Sequence, residues 1–191
     1  MWHKSIAAGI VIASVGLWSA GCSDYKQQEG AEHPQATQHS NLEGDARVTI
    51  ETFKGKDPSM QKFFDTSHGY AVFPEVAKGG AGIGGAHGEG VVYQQGKVVG
   101  YTTLSQATLG VQLGGQTYRE IIFFQNKHDL DTFKSGNYEF SAQASAVAAE
   151  SGAASNADYS QGVAVFTMAR AGLMFEASVG GQKFSYTPKA Q

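Results

Sequence analysis

Apolar residues recur every three or four positions at Leu42, Ala46, Ile50 and Phe53, with polar side chains between them. That spacing predicts an amphipathic helix. Ser40-Asn41-Leu42-Glu43 opens it as a capping box, the Ser hydroxyl and Glu carboxylate satisfying free amides of the first turn, and Gly55 is placed to stop it. Asp57-Pro58 then reads as an N-cap followed by proline at the first helical position, starting a second short helix whose Met60, Phe63 and Phe64 form one apolar stripe.

From Gly69 the period shortens to that of strands. The runs "GYAVFP", "GVVYQQGKVVGYTTL", "ATLGVQLGGQ", "YREIIFFQ", "YEFSAQASAVAAE", "GVAVFTMA" and "GLMFEASVGGQKFSYT" are β-rich and separated by Gly, Asn and Lys. They predict an antiparallel sheet, sandwich or barrel. Gln95-Gly96 marks a hairpin turn, and residues 126–134 make one helical interruption capped by Asn126. The expected fold class is α+β: a Gly-rich, mainly antiparallel β-sheet or barrel packed with two N-terminal helices.

The stretch "GGAGIGGAHGEG" at 79–90 contains a G-x-G-x-x-G match, Gly80 to Gly85. A dinucleotide loop needs a helix immediately after its glycines, because the pyrophosphate rests on the helix N-terminus. Here Gly88, Gly90, Val91 and Val92 lead into a hairpin instead, and no acid stands at the ribose-binding distance. Period two fits better. Positions 80, 82, 84, 88 and 90 are Gly and 86 is Ala, so a single strand would leave one face nearly bare. One of the N-terminal helices is expected to fill that face, ahead of a ligand.

The N-terminal residues follow another pattern. Lys4, the apolar run Ile6 to Trp18 and the small residues Ser19-Ala20-Gly21 read as a secretory signal peptide over 1–21, too short to span a bilayer comfortably. The sole cysteine, Cys22, follows at once and resembles the lipobox cysteine of bacterial lipoproteins, with Ser19 where such boxes usually carry Leu. Ser23 rather than Asp follows it, which by the same resemblance directs the anchor to the outer membrane, facing the periplasm. Residues 22–39 are expected to be a lipidated N-terminus and flexible tether, 40–187 the folded domain and 188–191 a tail. His33 and His39 in the tether have no third ligand and make no metal site.

Loss of residues 1–21 removes Lys4 and no acid, leaving 13 basic against 17 acidic residues, a formal −4. No bulk attraction to nucleic acid follows. Catalytic sets are missing too: the chain has no G-x-S-x-G and no H-E-x-x-H. Asp129 and Asp131 lack the Gly and bidentate Glu of an EF-hand, and His68 and His87 have no carboxylate or nucleophile beside them in sequence. No enzyme, cofactor or metal is called for by these residues.

Taken in order, "GYAVFPEVAKGGAGIGG", "GEGVVY", "ATLGVQLGGQTYREIIFF" and "GLMFEASVGG" resemble the SYLF domain family over roughly residues 43–187. That family is known for binding membrane lipids, with phosphoinositide ligands and actin contacts in eukaryotic members. Where many members carry Trp-Ser after the first hairpin, this chain has Tyr101-Thr102. For a bacterial envelope protein, the resemblance implies a non-enzymatic module that binds phospholipid membranes. Because the balance is acidic, the contact must be a local patch, and its candidates are Arg47, Lys54, Lys56, Lys62 and Lys78, interleaved with Asp45, Glu51, Asp57, Asp65 and Glu75. A structural lipoprotein that binds another envelope protein through an exposed strand edge is the alternative.

Overall fold

The computed structural model describes residues 34–81, 83–109, 115–141, 144–171 and 179–190. The stretch read as a signal peptide, Cys22 and the part of the expected tether up to His33 lie outside the described residues.

Helix α1 spans Pro34–Lys56, so it starts ahead of the Ser40 cap read from sequence. Pro34 suits a first helical position, since its fixed φ is helical and its missing N–H is not needed there. The extra turns are held by the sheet: Gln38 Nε2 donates to Glu89 at 3.3 Å, and His39 stacks on Tyr101 with centroids 3.7 Å apart. Ser40 is therefore mid-helix, its hydroxyl donating back to the Thr37 carbonyl at 2.9 Å. Gly55 does not end the helix either. The chain leaves the helical region at Asp57 (φ −138°, ψ 93°), the residue that Pro58 bars from helical geometry. A 3-10 turn, Pro58–Met60, runs into α2, Gln61–Thr66.

The strands are β1 Gly69–Ala81, β2 Ile83–Gln94, β3 Lys97–Leu109, β4 Gly115–Phe124, β5 Tyr138–Glu139, β6 Val147–Ala148, β7 Val163–Ala171 and β8 Gln182–Pro188, with α3, Lys127–Lys134, between β4 and β5. They form one curled sheet in the order β5-β8-β3-β2-β1-β4-β7-β6, antiparallel except for the β6–β7 pair. The α+β class expected from sequence holds. So do the hairpin turn, where Gln95 (φ 50°) and Gly96 (φ 75°) both take left-handed geometry, and the Asn126 cap, whose side chain accepts from the Asp129 amide at 3.2 Å.

Each sheet face carries its own core. On the outer face Val72, Val91, Tyr93, Ile121, Phe123 and Phe166 pack against Ala46, Ile50, Phe53, Met60 and Phe63 of α1 and α2. On the inner face Phe73, Val76, Val92, Leu104, Ile122, Phe124, Val165 and Phe184 pack with Leu130 and Phe133 of α3. Strand alternation sorts the residues between the two. One irregularity re-sorts β1: a bulge between Val72 and Glu75, at Phe73-Pro74, puts both Phe73 and Val76 on the inner face.

The glycine stretch is not one strand. Ala81 pairs with Ile83, so the chain folds back there and Gly80 faces Gly84 across a hairpin. Nor does a helix fill the bare face, because α1 and α2 lie on the other side of the sheet. A Cβ at Gly90 would sit 2.7 Å from the Phe73 ring, and one at Gly88 would sit 2.9 Å from the Val76 side chain. The glycines make room for inner-face side chains of β1, the strand next door.

Candidate functional site

The five basic candidates do not form one patch. Lys54 and Lys56 lie in the last turn of α1 and Lys62 in the first turn of α2, on either side of the corner between the helices. The Lys54 ammonium lies 4.7 Å above the Phe64 ring and 4.0 Å from Glu51, and Lys56 is the exposed last residue of α1. Lys62 lies 4.9 Å above the Phe63 ring and donates to the Ser155 and Ala157 carbonyls at 3.0 and 3.3 Å, fastening the 155–157 loop to α2. Arg47 stands two turns back on α1, exposed and 3.6 Å from Glu43. Lys78 is displaced furthest. It follows the β1 bulge two residues after the inward Val76, so it shares the inner face, on the far side of the sheet from the helices.

Beside the helical corner lies a cleft of about 600 Å³, walled by Phe64, His68, Tyr70, Gln95, Gln125 and Lys127 among others. Gln94 is within hydrogen-bond reach of His68 Nε2 at 3.2 Å, and Lys127 pairs with Asp131. Phe64 thus borders the cleft and carries Lys54 over its ring. A smaller cavity of about 250 Å³ separates the start of α1 from the sheet and is lined by Gln38, His39, Glu89, Tyr101 and Thr103 among others. There Glu43 accepts from Tyr101 at 2.8 Å and from Lys189 at 2.5 Å. Burial alone would raise the Glu43 carboxyl, but those two hydrogen bonds and the Lys189 and Arg47 charges hold it below its ordinary value. Lys189 belongs to the residues expected to be a tail; its amide also donates to the Val99 carbonyl at 3.0 Å, so that segment is docked.

Sequence reasoning missed the most unusual group in the structure. Glu120 of β4 is fully buried on the inner face, and Gln182 of β8, equally buried, donates from Nε2 to Glu120 Oε2 at 3.0 Å and to the Tyr118 hydroxyl at 3.2 Å. Burial pushes the Glu120 carboxyl up to about 8, against the smaller opposing effects of the Gln182 hydrogen bond and the Lys78 charge. It is a neutral acid at neutral pH. The signal in the sequence was an acid on the same face of an alternating strand as Tyr118, Ile122 and Phe124.

Among the described residues no three His, Cys, Asp or Glu side chains are placed to hold a metal ion, and no helix is long and apolar enough to cross a membrane.

Matches to known proteins now join the geometry. The profile of the family described as "Ysc84: Las17-binding protein actin regulator" matches residues 105–190, which run from β3 to the end of β8. That match agrees with the SYLF resemblance read from the ordered motifs. The chain is also similar to "Beta cell expansion factor A" of Aeromonas veronii, at 29% identity over 150 residues. That alignment takes in 73% of this chain and 57% of the relative, so it spans little more than half of the relative's own length.

Proposed function

We propose that the protein is a non-enzymatic, phospholipid-binding lipoprotein of the bacterial envelope, held at the periplasmic face of the outer membrane by an acyl anchor on Cys22. The observation that carries this reading is the similarity of β3 to β8 to a family known for membrane-lipid binding. The geometry supports one contact surface over the others. Lys54 lies over the ring of Phe64, which also lines the 600 Å³ cleft, so a phosphate headgroup there meets a cation and a partly apolar wall, and Lys56 and Lys62 add charge on either side of the same helical corner. Arg47 adds charge along α1, whereas Lys78 faces the other way and belongs to a different contact. The actin connection in the family description stays with that family.

Each basic residue near an anionic surface contributes on the order of 1 kcal/mol, screened by salt. Replacing Lys54, Lys56 and Lys62 by Glu in the chain carrying Cys22→Ala should weaken sedimentation with anionic liposomes by roughly a hundredfold at low salt. Lys62 also holds a loop, so Lys56→Glu, whose side chain is exposed, is the companion variant, with a drop of about fivefold. Equal binding by both variants removes this corner, and no binding by the parent removes the lipid reading.

A second reading draws on the sheet edges. Among the described residues β5 covers only Lys183 and Phe184 of β8, and β6 covers only Phe166 and Thr167 of β7. Phe140, Ala149 and Ser160 also hydrogen-bond to Gln182, Thr167 and Val163, and the remaining positions of either edge strand offer backbone groups to an envelope protein partner. A stoichiometric partner recovered from solubilised envelopes, with no lipid extracted from the purified protein, would favour it.

A further inference from the structure

We propose that Glu120 is a proton-controlled latch that holds β8 against β4 across the inner face of the sheet, and that loss of its proton frees β8 while the β1–β2 hairpin stays folded. In the sheet order β3, β2 and β1 lie between these two strands, so no backbone ladder joins them. Their link is the side-chain bridge from Gln182 to Glu120 and Tyr118. On its own side β8 has the β3 ladder, and on the other the two residues of β5 and Phe140, whose amide donates to the Gln182 carbonyl and whose carbonyl accepts from Gly181. It is therefore an end of the sheet that can separate without breaking the central pairs.

The bridge lies in a belt of polar groups unsuited to a core built for stability alone. Register sets Gln106 opposite Gln182 and Thr167 opposite Glu120, and all four residues are buried. Four of their oxygens, Glu120 Oε1, Gln182 Oε1, Gln106 Oε1 and Thr167 Oγ1, have no hydrogen-bond partner. Three of these are acceptors only and the Thr167 hydroxyl can also donate; a proton on Glu120 adds a further donor to the group. Without it, a full negative charge sits in an apolar interior with the Gln182 amide as its side-chain donor, an arrangement that water entering the belt relieves.

The charged and titratable surroundings are few. From β1, Lys78 acts on Glu120 as the opposing charge; from β4 comes the Tyr118 phenol, itself pushed up by burial and by the Glu120 charge. Gln182 from β8, Gln106 from β3 and Thr167 from β7 carry no charge. Tyr118 ionises well above Glu120, so among the described residues Glu120 is the group that switches. Opening would bare the Phe184 and Phe73 rings, whose centroids are 5.8 Å apart in the closed sheet. The latch stands independently of the phospholipid reading.

Native-state hydrogen exchange of the full chain between pH 5 and 9 tests it, with protection expressed relative to an unstructured amide at the same pH. For the parent, protection over 182–187 should fall by about tenfold per pH unit and level off above about 8, and at every pH it should stay below that of β1 and β2, which exchange only on global unfolding. Glu120→Gln should abolish the fall. β8 amides as well protected as those of β1 and β2 at every pH would make Glu120 an ordinary buried acid linked to global unfolding and would overturn the latch; so would a β8 profile that does not change with pH, or an unchanged fall in Glu120→Gln. Should that variant not fold, the contrast between β8 and β1–β2 in the parent decides alone.

Discussion

Asp57 lends itself to a worked prediction. Its carboxylate is fully buried and accepts four hydrogen bonds, from the Ser59 amide at 3.0 Å, the Ser59 hydroxyl at 2.6 Å, the Gly152 amide at 3.1 Å and the Ala154 amide at 2.7 Å. The first two cap the 3-10 turn; the last two pin a loop distant in sequence to the end of α1. Asp57→Ala affects these donors unequally. Gly152 and the Ser59 hydroxyl can turn to water, because their residues are exposed or half-exposed, but the Ala154 amide belongs to a fully buried residue and stays unpaired. An orphaned buried donor costs about 1–3 kcal/mol, and a lost cap about 1 kcal/mol more. The expected loss is therefore about 3 kcal/mol, or roughly 10 °C in Tm for a chain of this size. Urea unfolding followed by far-ultraviolet circular dichroism measures it. Asp57→Asn keeps one oxygen for Ala154 and should lose about half as much. The pH dependence has a definite sign: burial alone would raise this carboxyl, but the four hydrogen bonds hold it below 3.8 in the folded chain. Its contribution is present above the unfolded value and disappears as pH falls through the folded one. An Ala variant within 0.5 kcal/mol of the parent, on the order of measurement error, would refute the staple, and an Asn variant as damaging as Ala would refute the role given to the remaining oxygen.

Other expectations follow from the same contacts. Gly90→Ala places a methyl against the Phe73 ring and the Val72 carbonyl and should destabilise by about 1–3 kcal/mol in urea; adding Phe73→Leu should recover part of that loss, and an additive double variant would contradict the contact. Glu43→Gln weakens the charge-assisted bonds from Lys189 and Tyr101 and should lower stability by about 1 kcal/mol at neutral pH, with the difference shrinking in acid as Glu43 itself is protonated. Glu120→Gln should flatten a fall in overall stability of the opposite sign. The folded Glu120 carboxyl lies above its unfolded value, so its contribution is complete below 4.5 and is lost as pH rises to about 8, an effect on the order of 5 kcal/mol in thermal or urea unfolding.

Much of the architecture was legible because it rests on local chemistry. Proline after Asp57, Gln95-Gly96 between two valine-rich runs and Asn126 ahead of a helical pattern each act within a few residues, and each sits where that chemistry puts it. The start of α1 was less legible. A capping box describes what Ser40 can do in isolation, whereas the Gln38 and His39 contacts that extend the helix come from Glu89 and Tyr101, which only the folded sheet brings near. Asp57 shows both limits in one side chain: its capping role reads directly, but the loop it fastens lies 97 residues further on.

The candidate site fared worse, for a reason that lies in strand geometry. Lys78 was grouped with the helical lysines by its nearness in sequence, and its true side depends on a single irregularity at Phe73-Pro74. In an unbroken β1 the alternation that puts Val72 on the outer face would put Lys78 there as well; one bulged residue reverses every position after it. The same reversal brings the Lys78 charge to Glu120 and sets Val76 beneath Gly88. The glycines of β2 and the polar belt of β4 and β8 are therefore two consequences of how β1 is bulged. An inward acid can be suspected from β4 alone, but its partner Gln182 joins it only when the sheet curls far enough for β8 to meet β4, a property of the whole sheet that no single strand's sequence carries.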